Sequence, residues 1–197
     1  MKISKSPWVL HYDGSSCNGC DIEVLAATTP RYDLERFGII NTGDPKHADV
    51  FLITGGVNFQ NRMVVQQLYS QMPDPKVVVA VGICACDGGV FKECYNIMGG
   101  VDKVIPVDVY VPGCAARPES IIDGVVKALA ILDHKRDRMR QGLPPEEKTF
   151  TPAENSVGKE AMARQEARIE SQIAASDAAR AAIRKEQEEE LHGGHDE

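Results

Sequence analysis

The chain has 197 residues, with 29 acidic against 22 basic side chains and a net charge of −7. That balance leaves no basic stripe to neutralise phosphates and argues against a nucleic-acid partner. No apolar run approaches the ~20 residues that a membrane-spanning helix needs, and residues 1–8 are too poor in apolar side chains for a secretory signal, so cytoplasmic residence is the expectation.

The first predicted strand is Val9-Leu10-His11-Tyr12, followed by a loop, Asp13-Gly14-Ser15-Ser16, and the motif Cys17-Asn18-Gly19-Cys20. A helix is expected from about Asp21, with Val24, Leu25 and Ala27 as its apolar positions, ending at Thr29-Pro30. A short helical piece, residues 34–37, stops at Gly38. Val50-Phe51-Leu52-Ile53-Thr54 is a continuous apolar run, the pattern of a strand covered on both faces. Residues 61–72 read as a helix, with Val64, Val65, Leu68 and Met72 at helical spacing. Pro73-Asp74-Pro75 breaks it before a strand over residues 77–81. The last strand spans residues 107–111, and Arg117-Pro118-Glu119 opens a helix that runs through Leu132.

Strands alternating with helices across short loops predict an α/β fold: a flavodoxin-like, doubly wound, mostly parallel sheet. Composition divides the chain after Leu132. Residues 1–132 hold all six cysteines and ten of the eleven aromatics, and form the expected cluster-binding domain. Residues 133–197 begin with a linker, Gly142-Leu143-Pro144-Pro145, and continue into a charged segment rich in Ala, Glu, Arg and Gln. With only Ile169, Ile173 and Ile183 as an apolar stripe, an exposed helical tail is expected there.

Six cysteines in a reducing compartment point to metal or redox chemistry rather than disulfides. Cys17, Cys20, Cys84 and Cys114 each sit just past a predicted strand. Ligands of open α/β sheets gather outside the carboxyl ends of the strands, so these distant thiolates would meet at one edge. Zinc and iron–sulfur clusters both accept four cysteines. Structural zinc favours paired cysteine hairpins that staple a small piece of chain. Here one C-x-x-C pair is completed by single cysteines 64 and 94 residues beyond Cys20, in a fold with its own core. An iron–sulfur cubane for electron transfer fits that spacing better.

Cys86 and Cys94, the latter in an expected helix, read as small core residues. Spacing alone does not choose between Cys84 and Cys86. Asn18 and Gly19 permit a tight turn whose amides face the cluster sulfurs, and Gly113 allows a close approach to Cys114. Asp21 complements the dipole of the helix it starts. Glu23 is either a proton carrier near the redox centre or a plain first-turn carboxylate. His11 reads as a satisfied core histidine. Thr54-Gly55-Gly56-Val57-Asn58 matches neither nucleotide fingerprint and is expected to pack beside the cluster or a partner. His192 and His195 at the carboxyl terminus read as solvated.

Three motifs carry a resemblance: Cys17-Asn18-Gly19-Cys20-Asp21-Ile22-Glu23, the run from Gly82 to Phe91 containing Cys84-Ala85-Cys86, and the run from Val107 to Cys114 ending Pro112-Gly113-Cys114. In order and spacing they resemble the small subunit of group 4, energy-converting, membrane-bound nickel-iron hydrogenases of the formate hydrogenlyase and Ech types. That superfamily also contains the 20 kDa cluster subunit of complex I. The resemblance covers residues 8–132. It implies one 4Fe-4S cluster held by Cys17, Cys20, Cys84 and Cys114, and it selects Cys84 over Cys86. It also implies a separate large subunit with the nickel-iron site, ferredoxin-like iron–sulfur subunits, integral membrane subunits, and a peripheral position on the cytoplasmic face of the membrane.

Complex I relatives carry adjacent cysteines at the first motif, whereas Asn18 and Gly19 separate them here. The family's two prolines after Pro-Gly-Cys are replaced by Ala115 and Ala116, for which a looser turn is expected. The rival readings are a complex I-like quinone oxidoreductase subunit and a zinc-stapled assembly subunit.

Overall fold

A computed structural model describes residues 6–144. The chain divides into two units, residues 1–153 and 154–197, and every described residue belongs to the first. The tail expected beyond the linker, with His192 and His195, lies outside the described residues.

Five strands form one sheet: β1 (Trp8–Asp13), β2 (Ile40–Thr42), β3 (Val50–Thr54), β4 (Val77–Val81) and β5 (Val109–Val111). Their order is β2-β1-β3-β4-β5 and every pairing is parallel. The parallel, doubly wound sheet is the one expected; its strand order, which no single sequence specifies, reverses between β1 and β3. All five residues of β3 and all five of β4 are buried. Val50, Leu52, Val77 and Val79 share one core with Val24 and Ala27 of α1 (Gly19–Thr28) and with Ile121, Val125, Leu129 and Leu132 of α4 (Pro118–Arg140). Phe51 and Ile53 point to the other face by the strand's period of two and are equally buried. Coverage on both faces is what the continuous apolar runs required.

The sequence reading omitted β2. It is three residues long, Ile-Asn-Thr, on the sheet edge, and Ile40 is exposed, so no apolar pattern marks it. Strand β5 is two residues shorter than expected at its start, because Asp108 turns to the ladder: its carboxylate accepts the Val78 N–H at 2.9 Å. Helix α2 (Arg62–Gln71) falls where expected, yet it buries only Val65, and Val64 is 42% exposed. Cys94 is no core residue; it sits in a bend among turns and is exposed.

Helix α4 starts on Pro118, where the missing N–H is harmless, and continues past Leu132 to Arg140. Its crossing of β5 depends on Gly124, where a Cβ would overlap Val111 Cγ2. Burying side chains such as Ile121, Leu129 and Leu132 stabilises the packing by about 1.5–3 kcal/mol each.

Candidate cluster site

Every loop that carries a motif cysteine leaves the carboxyl end of a strand. Cys17 and Cys20 follow β1, Cys84 follows β4 at the start of α3 (Ile83–Asp87), and Cys114 follows β5. The loops are sewn together by backbone bonds. Gly82 N–H donates to Val111 C=O and Ile83 N–H to Gly113 C=O, both at 2.8 Å, which joins the second and third cysteine loops. Gly14 N–H donates to Thr54 C=O and Ser15 N–H to Gly56 C=O, both at 2.9 Å, which joins the first to the loop after β3. The Thr54–Asn58 segment thus packs on the first cysteine loop, at the point where strand order reverses.

The four thiols are electrostatic neighbours. Burial pushes the Cys20 thiol above its usual range; a hydrogen bond from the Ala116 backbone pulls it down, and the charges of Asp21, Cys84 and Cys17 push it up again. Cys84 is raised by burial and then by the charges of Cys114 and Cys17. Four cysteine sulfurs are the donor set that an iron–sulfur cluster takes. Among the described residues, no three His, Cys, Asp or Glu side chains stand close enough for a single metal ion. Cys17 and Cys114 are exposed, and Cys20 and Cys84 are half-buried.

Two local features shape this edge. Gly82 has φ +85°, which a side chain rarely adopts, and a Cβ there would overlap Cys20 Sγ. Asn18 caps α1 at φ 64°, the left-handed turn that the motif's Asn-Gly pair suggested. Helix α1 begins at Gly19, so Cys20 lies inside its first turn, two residues earlier than expected. The turn after Cys114 is not loose: Ala116 is 1% exposed and its backbone bonds to Cys20.

Cys86 belongs to a different environment. Its S–H points to Ala80 C=O at 3.6 Å, and burial, ahead of all other causes, pushes its thiol up to about 11. Glu23 is half-buried on α1. Two residues of helix turn it about 200° from Asp21, so the two carboxylates occupy different sides.

Asp21 and its partners were missed as a unit. Asp21 is 9% exposed. It accepts hydrogen bonds from the hydroxyls of Ser16, at 2.5 Å, and of Thr54, and it pairs with His11 Nε2 at 3.0 Å. Burial raises its pKa, but Ser16, Thr54 and His11 together hold the carboxyl below the usual range. The only sequence signal was the alternation of β1, which puts His11 on the inward face alongside Val9.

The chain is similar to known proteins. The family model described as NADH ubiquinone oxidoreductase, 20 Kd subunit, matches residues 17–128. A probable membrane-bound hydrogenase subunit, mbhJ, of Pyrococcus furiosus is 52% identical over 146 residues, covering 74% of this chain and 85% of the relative. Formate hydrogenlyase subunit 7 of Escherichia coli is 42% identical over 134 residues, 68% of this chain and 52% of that protein. A chain of an archaeal respiratory complex, the membrane-bound sulfane sulfur reductase, is 39% identical and superposes with a TM-score of 0.58, over 70% of this chain and 78% of that one.

Proposed function

The chain belongs to the NADH ubiquinone oxidoreductase 20 kDa subunit family, a family of oxidoreductase-complex subunits, and from that premise we propose that it is the electron-transfer subunit of a membrane-bound nickel-iron hydrogenase, holding one 4Fe-4S cluster on Cys17, Cys20, Cys84 and Cys114. The observation that carries this is the gathering of four cysteines from three loops at the carboxyl edge of one sheet, with Cys20 and Cys84 both close enough to Cys17 to feel its charge. When bound, the group supplies one-electron transfer between ferredoxin-like subunits and the nickel-iron site of a separate large subunit. The chain's own residues do the rest. Helix α1 begins at Gly19, which sets Cys20 in its first turn and Cys17 just before its N-cap residue Asn18. Gly82 gives the loops room to close around Cys20. Cys86 commits its S–H to Ala80 C=O on β4, which supports Cys84 as the ligand.

Among the described residues, no helix is long and apolar enough to cross a membrane, so attachment at the cytoplasmic face would come through integral membrane partners. Glu23 is proposed as a proton relay beside the site. Replacement by Gln should lower turnover of the assembled complex, and unchanged turnover removes the role.

The test of the main reading is metal and acid-labile sulfide analysis of the purified chain, with low-temperature EPR of the reduced complex. About four irons and four sulfides per chain are expected, lost when any of the four ligand cysteines becomes Ser and retained in Cys86→Ser. A colourless chain with one zinc overturns the reading. A second reading, a quinone-linked or other reductase of the same family, is favoured by the likeness to the sulfane sulfur reductase. A large subunit with no C-x-x-C pair near either end would decide for it.

A further inference from the structure

Beneath the first cysteine loop lies a chain of hydrogen bonds that no ligand assignment uses. Asp21 Oδ1 accepts from Thr54 on β3 and pairs with His11 Nε2 on β1, at 3.0 Å. Its Oδ2 accepts from Ser16 Oγ at 2.5 Å. Ser16 Oγ accepts in turn from the Asn18 N–H at 2.9 Å. Ser16 therefore uses its one proton toward Asp21 and a lone pair toward Asn18, so the direction of the chain is fixed. It starts on two central strands of the sheet and ends at the residue whose left-handed backbone separates Cys17 from Cys20.

Asp21 follows Cys20 in the chain and is 9% exposed. Its carboxylate reaches β1, β3 and the cysteine loop together. Resting on the cluster reading above, we propose that Ser16 and Asp21, anchored by His11 and Thr54, are positioning residues that hold Asn18 in its left-handed turn and so keep Cys17 and Cys20 at the separation a cluster needs.

The test uses the full chain in its assembled complex, comparing Ser16→Ala, Ser16→Thr and Asp21→Asn. Each is read by the rate of iron loss to a chelator and by the EPR spectrum of the reduced cluster. Ser16→Ala keeps the Asp21 charge but removes both bonds; iron loss about tenfold faster and shifted g-values are expected. Ser16→Thr keeps the hydroxyl and should restore both readouts. Asp21→Asn offers one accepting oxygen where three groups converge, so it should also speed iron loss.

If Asp21→Asn alters the spectrum while Ser16→Ala matches the wild type, the carboxylate acts through charge and the positioning role is overturned. Should Ser16→Ala fail to assemble, Thr54→Val reads the same chain from β3, and a wild-type rate of iron loss there overturns the proposal. A purified wild-type chain without iron and sulfide overturns the cluster reading first, at the metal analysis. A loaded wild type with unchanged variants overturns only this inference.

Discussion

The two edges of the sheet are built on opposite plans. At the amino-terminal edge, charges on α4 close the strands from within the chain. Arg136 Nη2 donates to Asp49 Oδ1 at 2.6 Å, and Asp49 Oδ2 accepts the Trp8 N–H at 3.1 Å. Lys135 Nζ donates to Lys76 C=O at 2.7 Å and pairs with Asp108, whose side chain is 5% exposed. At the carboxyl edge, left-handed and glycine positions bring sulfurs forward into partial exposure. Around them Ile22 (63%), Val90 (86%), Phe91 (53%) and Tyr95 (84%) are apolar and exposed. One edge is finished by the chain itself; the other is shaped to receive something. Substitutions at the first should change stability and leave the site alone, and those at the second should do the reverse.

The largest effect expected comes from Gly82→Ala, at the carboxyl edge. A left-handed backbone costs a non-glycine residue about 1–3 kcal/mol, and the new Cβ displaces Cys20 Sγ as well. About four irons, those of this cluster, should be lost from the purified complex, while urea unfolding of the metal-free chain shifts only by the backbone cost. Full iron content in Gly82→Ala would break the contrast, since the site would then tolerate a moved ligand.

Gly124→Ala strikes the packing between the two edges. The added methyl meets Val111 Cγ2, and overpacking of this kind costs about 1–3 kcal/mol. A lower urea midpoint is expected, with part of the loss recovered in Gly124→Ala/Val111→Ala because the second change opens the space. Equal midpoints for the single and double variants would show that the helix has shifted instead.

At the amino-terminal edge, Arg136→Met removes an ion pair whose members are 29% and 22% exposed. Partial exposure puts the expected loss at about 1 kcal/mol, with an unchanged EPR spectrum and iron content. A spectral change would show that the two edges are coupled through the sheet.

The sequence carried the parts of this plan that rest on repeated chemistry. Continuous runs such as residues 50–54 and 77–81 announce doubly covered strands, and Pro118 announces the start of α4. Cysteines placed just after such strands announce a shared edge. What escaped were features that depend on partners distant in the chain. Strand β2 exists because its backbone pairs with β1, not because Ile-Asn-Thr has a pattern. Asp21 looked like an ordinary first-turn acid, since nothing local shows that Thr54, 33 residues away, donates to it. Lys135 and Arg136 lay past the fading apolar pattern, yet their charges reach carboxylates 27 and 87 residues back.

The smallest effect separates two cysteines that the sequence treated alike. Cys94 is exposed, whereas Cys86 points to Ala80 C=O with its thiol raised to about 11. At pH 8 only about one Cys86 thiol in a thousand is ionised, and the thiolate is the form that alkylates. Iodoacetamide followed by peptide mass spectrometry should therefore label Cys94 early and Cys86 last. A thiol with a raised pKa gains reactivity as pH rises, so the Cys86 rate should climb about tenfold per pH unit and level off near 11. Neither modification of Cys94 nor Cys86→Ser should remove iron. If Cys86 is labelled as fast as Cys94 at pH 8, its sulfur is not held against β4, and the structural ground for preferring Cys84 as the ligand is gone.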